Sequence, residues 1–133
     1  MKTMLKENAH LELKERMSNS VLKTISAYAN FGDGKIIIGV KDDGSVVGVD
    51  DVKTVRLSIE HTINDSISPR PEYSIHEVLL EEKPVVEINV RRGRNVPYLY
   101  KGSAYRRMDT STSEVQEAEL FDLTLQKRNL SYD

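Results

Sequence analysis

The chain has 133 residues, a length that suits one compact domain, and its 38% apolar content is enough for a single modest core. Its 19 basic and 21 acidic side chains give a net charge of −2, which excludes a uniformly basic protein, so any nucleic-acid site must be a local patch. Cysteine is absent, which excludes disulfides, thiolate metal sites and cysteine nucleophiles.

No run of apolar residues approaches the roughly 20 that a membrane-spanning helix needs, and the first residues lack the apolar stretch of a signal peptide. We therefore expect a soluble, cytoplasmic protein without a membrane partner. The ending, residues 127–133, is polar and has no stop signal of its own. We expect one domain over residues 1–133 that forms the N-terminal part of a longer chain.

The first predicted helix runs from Ser18 to Asn30, because apolar residues recur there at helical spacing. The segment 30–34, Asn-Phe-Gly-Asp-Gly, should end it, since Asn and Gly tolerate the left-handed conformation of a helix end. A buried strand is predicted over 35–40, and the turn Asp-Asp-Gly at 42–44 should pair it with 45–49 as a hairpin.

A second helix is predicted from Asp51 to about Ser66, ending before Pro69-Arg70-Pro71. Strands over 73–80 and 85–90 should form another hairpin around the polar turn 81–84.

A third hairpin is predicted from 97–100 and 103–106, joined by Lys101-Gly102. The last helix is predicted from Glu114 to about Lys127, with Ser113 and Gln116 in the spacing of a capping box. This order of elements predicts an α+β domain, with a mostly antiparallel sheet of hairpins packed against about three helices.

Charge is concentrated between residues 91 and 107. This segment contains no acidic residue and six cationic ones: Arg91, Arg92, Arg94, Lys101, Arg106 and Arg107. Three aromatic residues, Tyr98, Tyr100 and Tyr105, are interleaved with them. Guanidinium groups bind phosphate and aromatic rings stack on unpaired bases, so the pattern favours a nucleic-acid surface over a solvated loop whose tyrosines pack into the sheet.

Carboxylates form a second set: Glu7, Glu12 and Glu15, with Asp42 and Asp43 at the first predicted turn. Converging carboxylates can hold Mg²⁺ or Mn²⁺, which activates water against a phosphodiester. On the residues alone, turn chemistry and a solvated surface explain these acids better, because Asp and Gly suit a turn. Lys14, on the same face of a strand as Glu12, could bind phosphate or form an ion pair.

The order of these motifs resembles the Schlafen AlbA-like domain. The resemblance runs from about Glu7 to about Ser113 and is carried by Glu7-x4-Glu12-Leu13-Lys14, by 22–30 leading into 34–44, by 47–49, and by 97–107. Its most specific part is Ala-Asn-x-Gly-Asp-Gly followed by Ile-Gly-Val-x-Asp-Asp-Gly.

The resemblance implies association with nucleic acid. Bacterial domains of this kind commonly begin transcriptional regulators, whereas the related core of eukaryotic Schlafens cleaves structured RNA with two Glu, one Asp and a divalent metal. The matching positions here are Glu7, Glu12 and Asp42, with Lys14 matching a neighbouring Lys. The eukaryotic enzyme encloses RNA between two related lobes, whereas this chain supplies only one, and a homodimer could supply the other.

Three functions follow from these patterns. The first is a nucleic-acid-binding module of a transcriptional regulator, which binds DNA or RNA phosphates through the basic segment and requires no cofactor. The second is an endoribonuclease dependent on Mg²⁺ or Mn²⁺ at the Glu/Glu/Asp site. The third is a protein-interaction or dimerisation domain whose exposed hairpin edges pair with a partner.

Overall fold

The computed structural model describes residues 5–131, in which three helices and eight short strands form. The helices are α1 (Asn19–Phe31), α2 (Val52–Ser66) and α3 (Glu117–Ser131). The strands are β1 (Leu11–Lys14), β2 (Gly34–Ile38), β3 (Ile67–Ser68), β4 (Glu72–Leu80), β5 (Lys83–Arg91), β6 (Leu99–Tyr100), β7 (Tyr105–Met108) and β8 (Ser111–Glu114). The α+β prediction is confirmed, and in the described part of the chain no helix is long and apolar enough to cross a membrane.

The largest sheet has four strands in the order β1-β2-β5-β4. The pairs β2–β5 and β4–β5 are antiparallel, whereas β1 lies parallel to β2. Two further antiparallel pairs, β3–β6 and β7–β8, stand outside this sheet. Strand β4 is therefore one edge of the main sheet, and β1 is the other.

Helix α1 lies at the centre of the molecule. It packs against β5 and also against β7 and β8, so it contacts both the main sheet and the β7–β8 hairpin. Nine of its residues are buried, including the polar Thr24, Ser26 and Asn30. Buried polar side chains need hydrogen-bond partners, so these three positions should hydrogen-bond to the segments that pack against α1.

Helix α2 begins at Val52, one residue later than the predicted start at Asp51, because Asp51 is its N-terminal cap. The Asp51 carboxylate accepts hydrogen bonds from the Thr54 hydroxyl at 2.8 Å and the Thr54 N–H at 3.4 Å. Ile59 and Ile63 are its buried residues and join the same core as α1. The opposite face of the helix remains in solvent.

The β4–β5 hairpin is confirmed, and it is longer than the sequence predicts. The strands cover 72–80 and 83–91 instead of 73–80 and 85–90. Only Glu81 and Glu82 form the turn, and both have positive φ, which matches the right-handed twist of the strands. The hairpin carries the chain directly into the basic segment at Arg91.

The predicted hairpin of 35–40 with 45–49 is wrong as a pair of strands. The turn itself forms, since the Gly44 N–H donates to the Lys41 carbonyl at 2.9 Å. Beyond it, only one bridge joins Val40 to Val46. Gly39 has a φ of 111°, which ends the regular strand geometry after Ile38.

The two strands of the third predicted hairpin each pair with a different segment of the chain. Segment 99–100 pairs with 67–68 instead of 103–106, to which a single Tyr100–Ser103 bridge connects it. Segment 105–108 pairs instead with 111–114. The predicted start of the last helix at Glu114, with a capping box at Ser113, is therefore wrong: these residues belong to β8, and the helix begins at Glu117.

Candidate nucleic-acid interface and carboxylate cluster

Asn30 and Ser26 of α1 fix the middle of the basic segment through the backbone of Tyr98. The Asn30 side chain accepts a hydrogen bond from the Tyr98 N–H at 2.6 Å and donates one to the Tyr98 carbonyl at 3.0 Å. The Ser26 hydroxyl donates to the same carbonyl at 2.7 Å. Sequence reasoning read Asn30 only as part of a helix stop, because a polar residue at a helix end is more often a capping residue.

The three tyrosines of the basic segment are in the core. Tyr98, Tyr100 and Tyr105 are 1%, 3% and 9% exposed. Base stacking by these rings, which the sequence pattern favours, does not fit their positions. The alternative of tyrosines packed into the interior is the correct one, since all three rings belong to the main hydrophobic core.

The loop after β5 is held to the end of α1 by its backbone. The Arg92 N–H donates to Asp33 Oδ1 at 2.7 Å. The Gly93 N–H donates to the Ala29 carbonyl at 2.9 Å, which also satisfies one of the last carbonyls of α1. These contacts give the loop one defined path across the surface.

The buried Tyr98 side chain contacts the loop from the protein interior. Its hydroxyl oxygen accepts a hydrogen bond from the Asn95 N–H at 3.0 Å. A Cβ atom at Gly93 would lie 1.9 Å from that oxygen, so only glycine allows the backbone to approach the ring so closely. The Tyr98 side chain therefore supports the basic loop from inside the protein.

This loop presents Arg91, Arg92 and Arg94 to solvent, and all three are exposed. The Arg92 side chain donates to Gln126 Oε1 of α3 at 2.9 Å. Within residues 5–131, none of the three forms an ion pair with a carboxylate. Their positive charge is thus available to an anionic ligand.

Two further cations of the segment lie apart from this loop. Lys101 is exposed, with its Nζ 5.4 Å from the centre of the Tyr100 ring. Arg106 pairs with Glu119 of α3 at 2.8 Å and lies over the Phe31 ring at 4.9 Å. Arg106 therefore contributes less free charge than its place in the sequence indicates.

Arg107 has a different environment from the other five cations. Its side chain is 6% exposed and contacts Glu12 Oε1 at 2.7 Å and Glu7 Oε2 at 3.5 Å. Its Nη2 also donates to the carbonyls of Asn8 and Leu11, each at 3.3 Å. The predicted phosphate contact by Arg107 does not fit this position, because its guanidinium joins β7 to the segment around β1.

Two threonines complete the surroundings of Glu12. The Thr24 hydroxyl donates to Glu12 Oε1 at 2.9 Å and lies 2.7 Å from the Thr112 hydroxyl. Glu12 Oε2 and Arg107 Nε are buried without a hydrogen-bond partner in the described part of the chain. The cluster therefore links β1, α1 and the β7–β8 hairpin through charged and polar side chains.

Burial and charge shift two pKa values in this cluster. Burial, followed by repulsion from Glu12, raises the pKa of Glu7 above its ordinary value, although Arg107 opposes the shift. Burial raises the pKa of Tyr28 to about 12, so its hydroxyl stays protonated at neutral pH. The free energy of unfolding therefore depends on pH through the ionisation of Glu7, whereas Tyr28 contributes no pH dependence near neutrality.

The predicted metal set of Glu7, Glu12 and Asp42 does not fit a metal ion as the side chains stand. No group of three acidic, His or Cys residues with metal-binding geometry occurs among residues 5–131. The Arg107 guanidinium takes the position between Glu7 and Glu12 that a cation would need. Asp42 instead lines an open cleft of about 720 Å³ together with Lys14.

A groove of about 580 Å³ adjoins the basic loop and was missed by sequence reasoning. Three arginines from different elements line it: Arg56 of α2, Arg70 before β4 and Arg91 at the end of β5. No sequence signal joins them, because the antiparallel pairing of β4 with β5 is what brings Arg91 beside Glu72 and the preceding loop.

Comparison with known proteins gives one family and several related folds. A family model described as Schlafen, AlbA_2 matches residues 7–116. A crystal structure of a Corynebacterium diphtheriae protein is similar with a TM-score of 0.62 and 17% identity, over 87% of this chain and 24% of that one. The N-terminal domain of a Nitrosomonas europaea protein, named as related to the ATP-dependent DNA helicase RecG, has a TM-score of 0.56 and 25% identity over 85% of both chains. No curated protein matches.

Proposed function

The chain belongs to the Schlafen AlbA_2 family, and from that premise we propose that it is a nucleic-acid-binding module of a transcriptional regulator. It binds phosphates through the exposed arginines of the loop after β5. The family and the helicase-related name of the Nitrosomonas protein both support a nucleic-acid-related role.

The observation that carries the proposal is the fixed, cationic loop. Arg91, Arg92 and Arg94 are exposed, and backbone hydrogen bonds to Asp33 and Ala29 hold the chain between them. Guanidinium groups bind phosphate oxygens in a bidentate manner, and a loop that is already ordered loses little conformational entropy on binding. This arrangement suits recognition of a phosphate backbone.

Lys101 and Arg106 extend the surface at its margins. Arg106 would exchange its exposed pair with Glu119 for a phosphate, and exposed pairs of this kind contribute only about 0–1 kcal/mol. Arg107 and the three tyrosines belong to the support of the surface and not to the surface itself.

Fluorescence anisotropy with duplex DNA and with structured RNA, repeated across salt concentrations, tests this proposal. Each phosphate neutralised on duplex DNA contributes a slope of about −0.9 to log affinity against log salt. The pair Arg91→Ala/Arg94→Ala should therefore weaken binding and reduce the slope by nearly 2. The matched pair Arg16→Ala/Lys53→Ala removes equal charge at exposed positions elsewhere and should leave the slope nearly unchanged.

Binding that is insensitive to salt, or absent, would overturn the proposal. Running the same samples on a gel with Mn²⁺ or EDTA distinguishes the alternatives. Cleavage that needs Mn²⁺ and is lost in Glu7→Ala would establish a metal-dependent nuclease instead. A size that rises with protein concentration, without a nucleic-acid shift, would establish an interaction or dimerisation domain.

A further inference from the structure

The groove beside the start of β4 has the size of a small-ligand site. Its volume is about 580 Å³, within the range of about 300–1,000 Å³ that ligand pockets occupy. Its lining comes from α2, from the chain leading into β4, from the first residues of β4 and from the paired end of β5. A space of this size fits a nucleotide and is too small for a double helix.

The charge around the groove is mixed. Arg70 and Arg91 are exposed and form no ion pair among the described residues, whereas Arg56 lies 3.7 Å from Glu77. Glu60 and Glu72 also line the groove. Cations next to carboxylates suit a ligand that has an anionic part and hydrogen-bond donors, as a nucleotide has in its phosphate and base.

Amide and aromatic side chains supply the remaining lining. The Tyr73 hydroxyl donates to Asn64 Oδ1 at 2.7 Å, and the Tyr73 ring is only partly buried. Asn89 donates through its Nδ2 to Glu87 Oε1 at 3.1 Å, which leaves its carbonyl oxygen able to accept a bond. Partly exposed aromatic rings stack on bases, and amide groups bond to base edges.

We propose that this groove binds an unpaired nucleotide, so that the domain recognises single-stranded segments of DNA or RNA. This inference rests on the proposed function and deepens it, because Arg91 belongs both to the basic loop and to the groove. A strand whose phosphates follow the loop can place one base against Tyr73. Tyr73 then has the stacking role that the buried Tyr98, Tyr100 and Tyr105 cannot have.

A comparison of three labelled ligands tests this inference: a single strand, an abasic strand with the same phosphates, and a duplex, each in DNA and, where stable, in RNA. Stacking of one base on an aromatic ring corresponds to about a 5- to 150-fold difference in affinity. We expect the single strand to bind more tightly than the abasic strand by a factor in this range. Comparison of the DNA and RNA strands identifies the preferred nucleic acid.

Variants locate the effect in the groove. Tyr73→Leu should remove the advantage of the single strand over the abasic strand, while Tyr73→Phe, which keeps the ring, should retain it. Arg70→Gln should weaken binding of both strands, because it removes a cation without touching the ring. Lys53→Gln is the matched control at an exposed position of α2.

The outcomes separate this inference from the proposed function. Equal affinity for the two strands, with binding still lost in Arg91→Ala/Arg94→Ala, would overturn the groove proposal and leave the phosphate-binding loop in place. Failure of every ligand to bind would overturn both. If Tyr73→Leu fails to fold, the wild-type comparison of the two strands and the Arg70→Gln variant still decide the question.

Discussion

Arg94 and Arg107 belong to the same basic segment, and folding places them in opposite environments. Arg94 is exposed in a loop and forms no ion pair within the described residues. Arg107 is buried and contacts two carboxylates. A buried charge requires partners, whereas an exposed charge remains available to a ligand.

The difference shows that charge density in a sequence does not reveal which cations bind a partner. Arg107 attaches β7 to β1, whereas the arginines at and after the end of β5 are exposed to solvent. The division follows from topology. Segment 105–108 packs against α1 beside Glu7 and Glu12, while 91–95 runs over the end of that helix.

Removing the buried ion pair of Arg107 should have the largest effect on stability. Arg107→Met should lower the free energy of unfolding by about 3–5 kcal/mol, because Glu12 is left buried without its counter-charge. Urea denaturation monitored by circular dichroism measures the loss. Adding Glu12→Leu to the same chain should restore much of the stability, since an apolar pair leaves no buried charge.

The neighbouring Arg106→Ala is the matched control, because its pair with Glu119 is exposed. Exposed pairs contribute about 0–1 kcal/mol, so this variant should unfold nearly as the wild type does. Equal losses in the Arg106 and Arg107 variants would contradict the assignment of Arg107 to a structural role.

A smaller loss of stability is expected from Gly93→Ala, which distorts the loop after β5. In Gly93→Ala the new Cβ would overlap the Tyr98 hydroxyl, and overpacking of this kind costs about 1–3 kcal/mol. Thermal unfolding measures the cost, and weaker nucleic-acid binding should accompany it because the loop must move. Gly32→Ala, where a Cβ would meet nothing within 4 Å, is the control. If both alanine variants keep full stability and affinity, the loop is not held by Tyr98.

The smallest expected effect is the pH dependence of Glu7. Its pKa is raised above the usual 4.5, so the folded state holds more protons than the unfolded state just above that pH. Stability from this group therefore falls as the pH rises through the window above 4.5. Glu7→Gln should flatten this dependence and change stability at pH 7 by less than about 1 kcal/mol. Stability that falls more steeply with rising pH in Glu7→Gln than in the wild type would show instead that the folded state stabilises the ionised carboxylate.

Local patterns predicted much of the fold. The sequence predicts α1 over 18–30 and it occurs at 19–31, and it predicts α2 from Asp51 to about Ser66, where the helix spans Val52–Ser66. The β4–β5 hairpin was also correctly predicted, because both strands and their turn are adjacent in sequence. The family resemblance is confirmed over residues 7–116.

Contacts between distant segments could not be predicted in the same way. No tight turn joins the parallel strands β1 and β2, so no local sequence signal predicts their pairing. The β7–β8 hairpin consists of mostly polar residues, so it lacks the apolar alternation that predicts a strand. The site depends on such contacts: Arg107 contacts Glu12 over a separation of 95 residues, and Asn30 contacts the Tyr98 backbone over 68. Sequence reasoning therefore identified the cations and carboxylates without separating those that bind a ligand from those that bind each other.

An NMR titration of the arginine Nε–Hε resonances with nucleic acid distinguishes cations that bind a ligand from cations that bind the protein, because one spectrum reports on both ends of the basic segment. We expect the signals of Arg91, Arg92 and Arg94 to shift progressively as nucleic acid is added, while the signal of Arg107 stays in place. Shifts centred on Arg107, with the loop arginines unchanged, would contradict this expectation and would locate the nucleic-acid site at the carboxylate cluster instead.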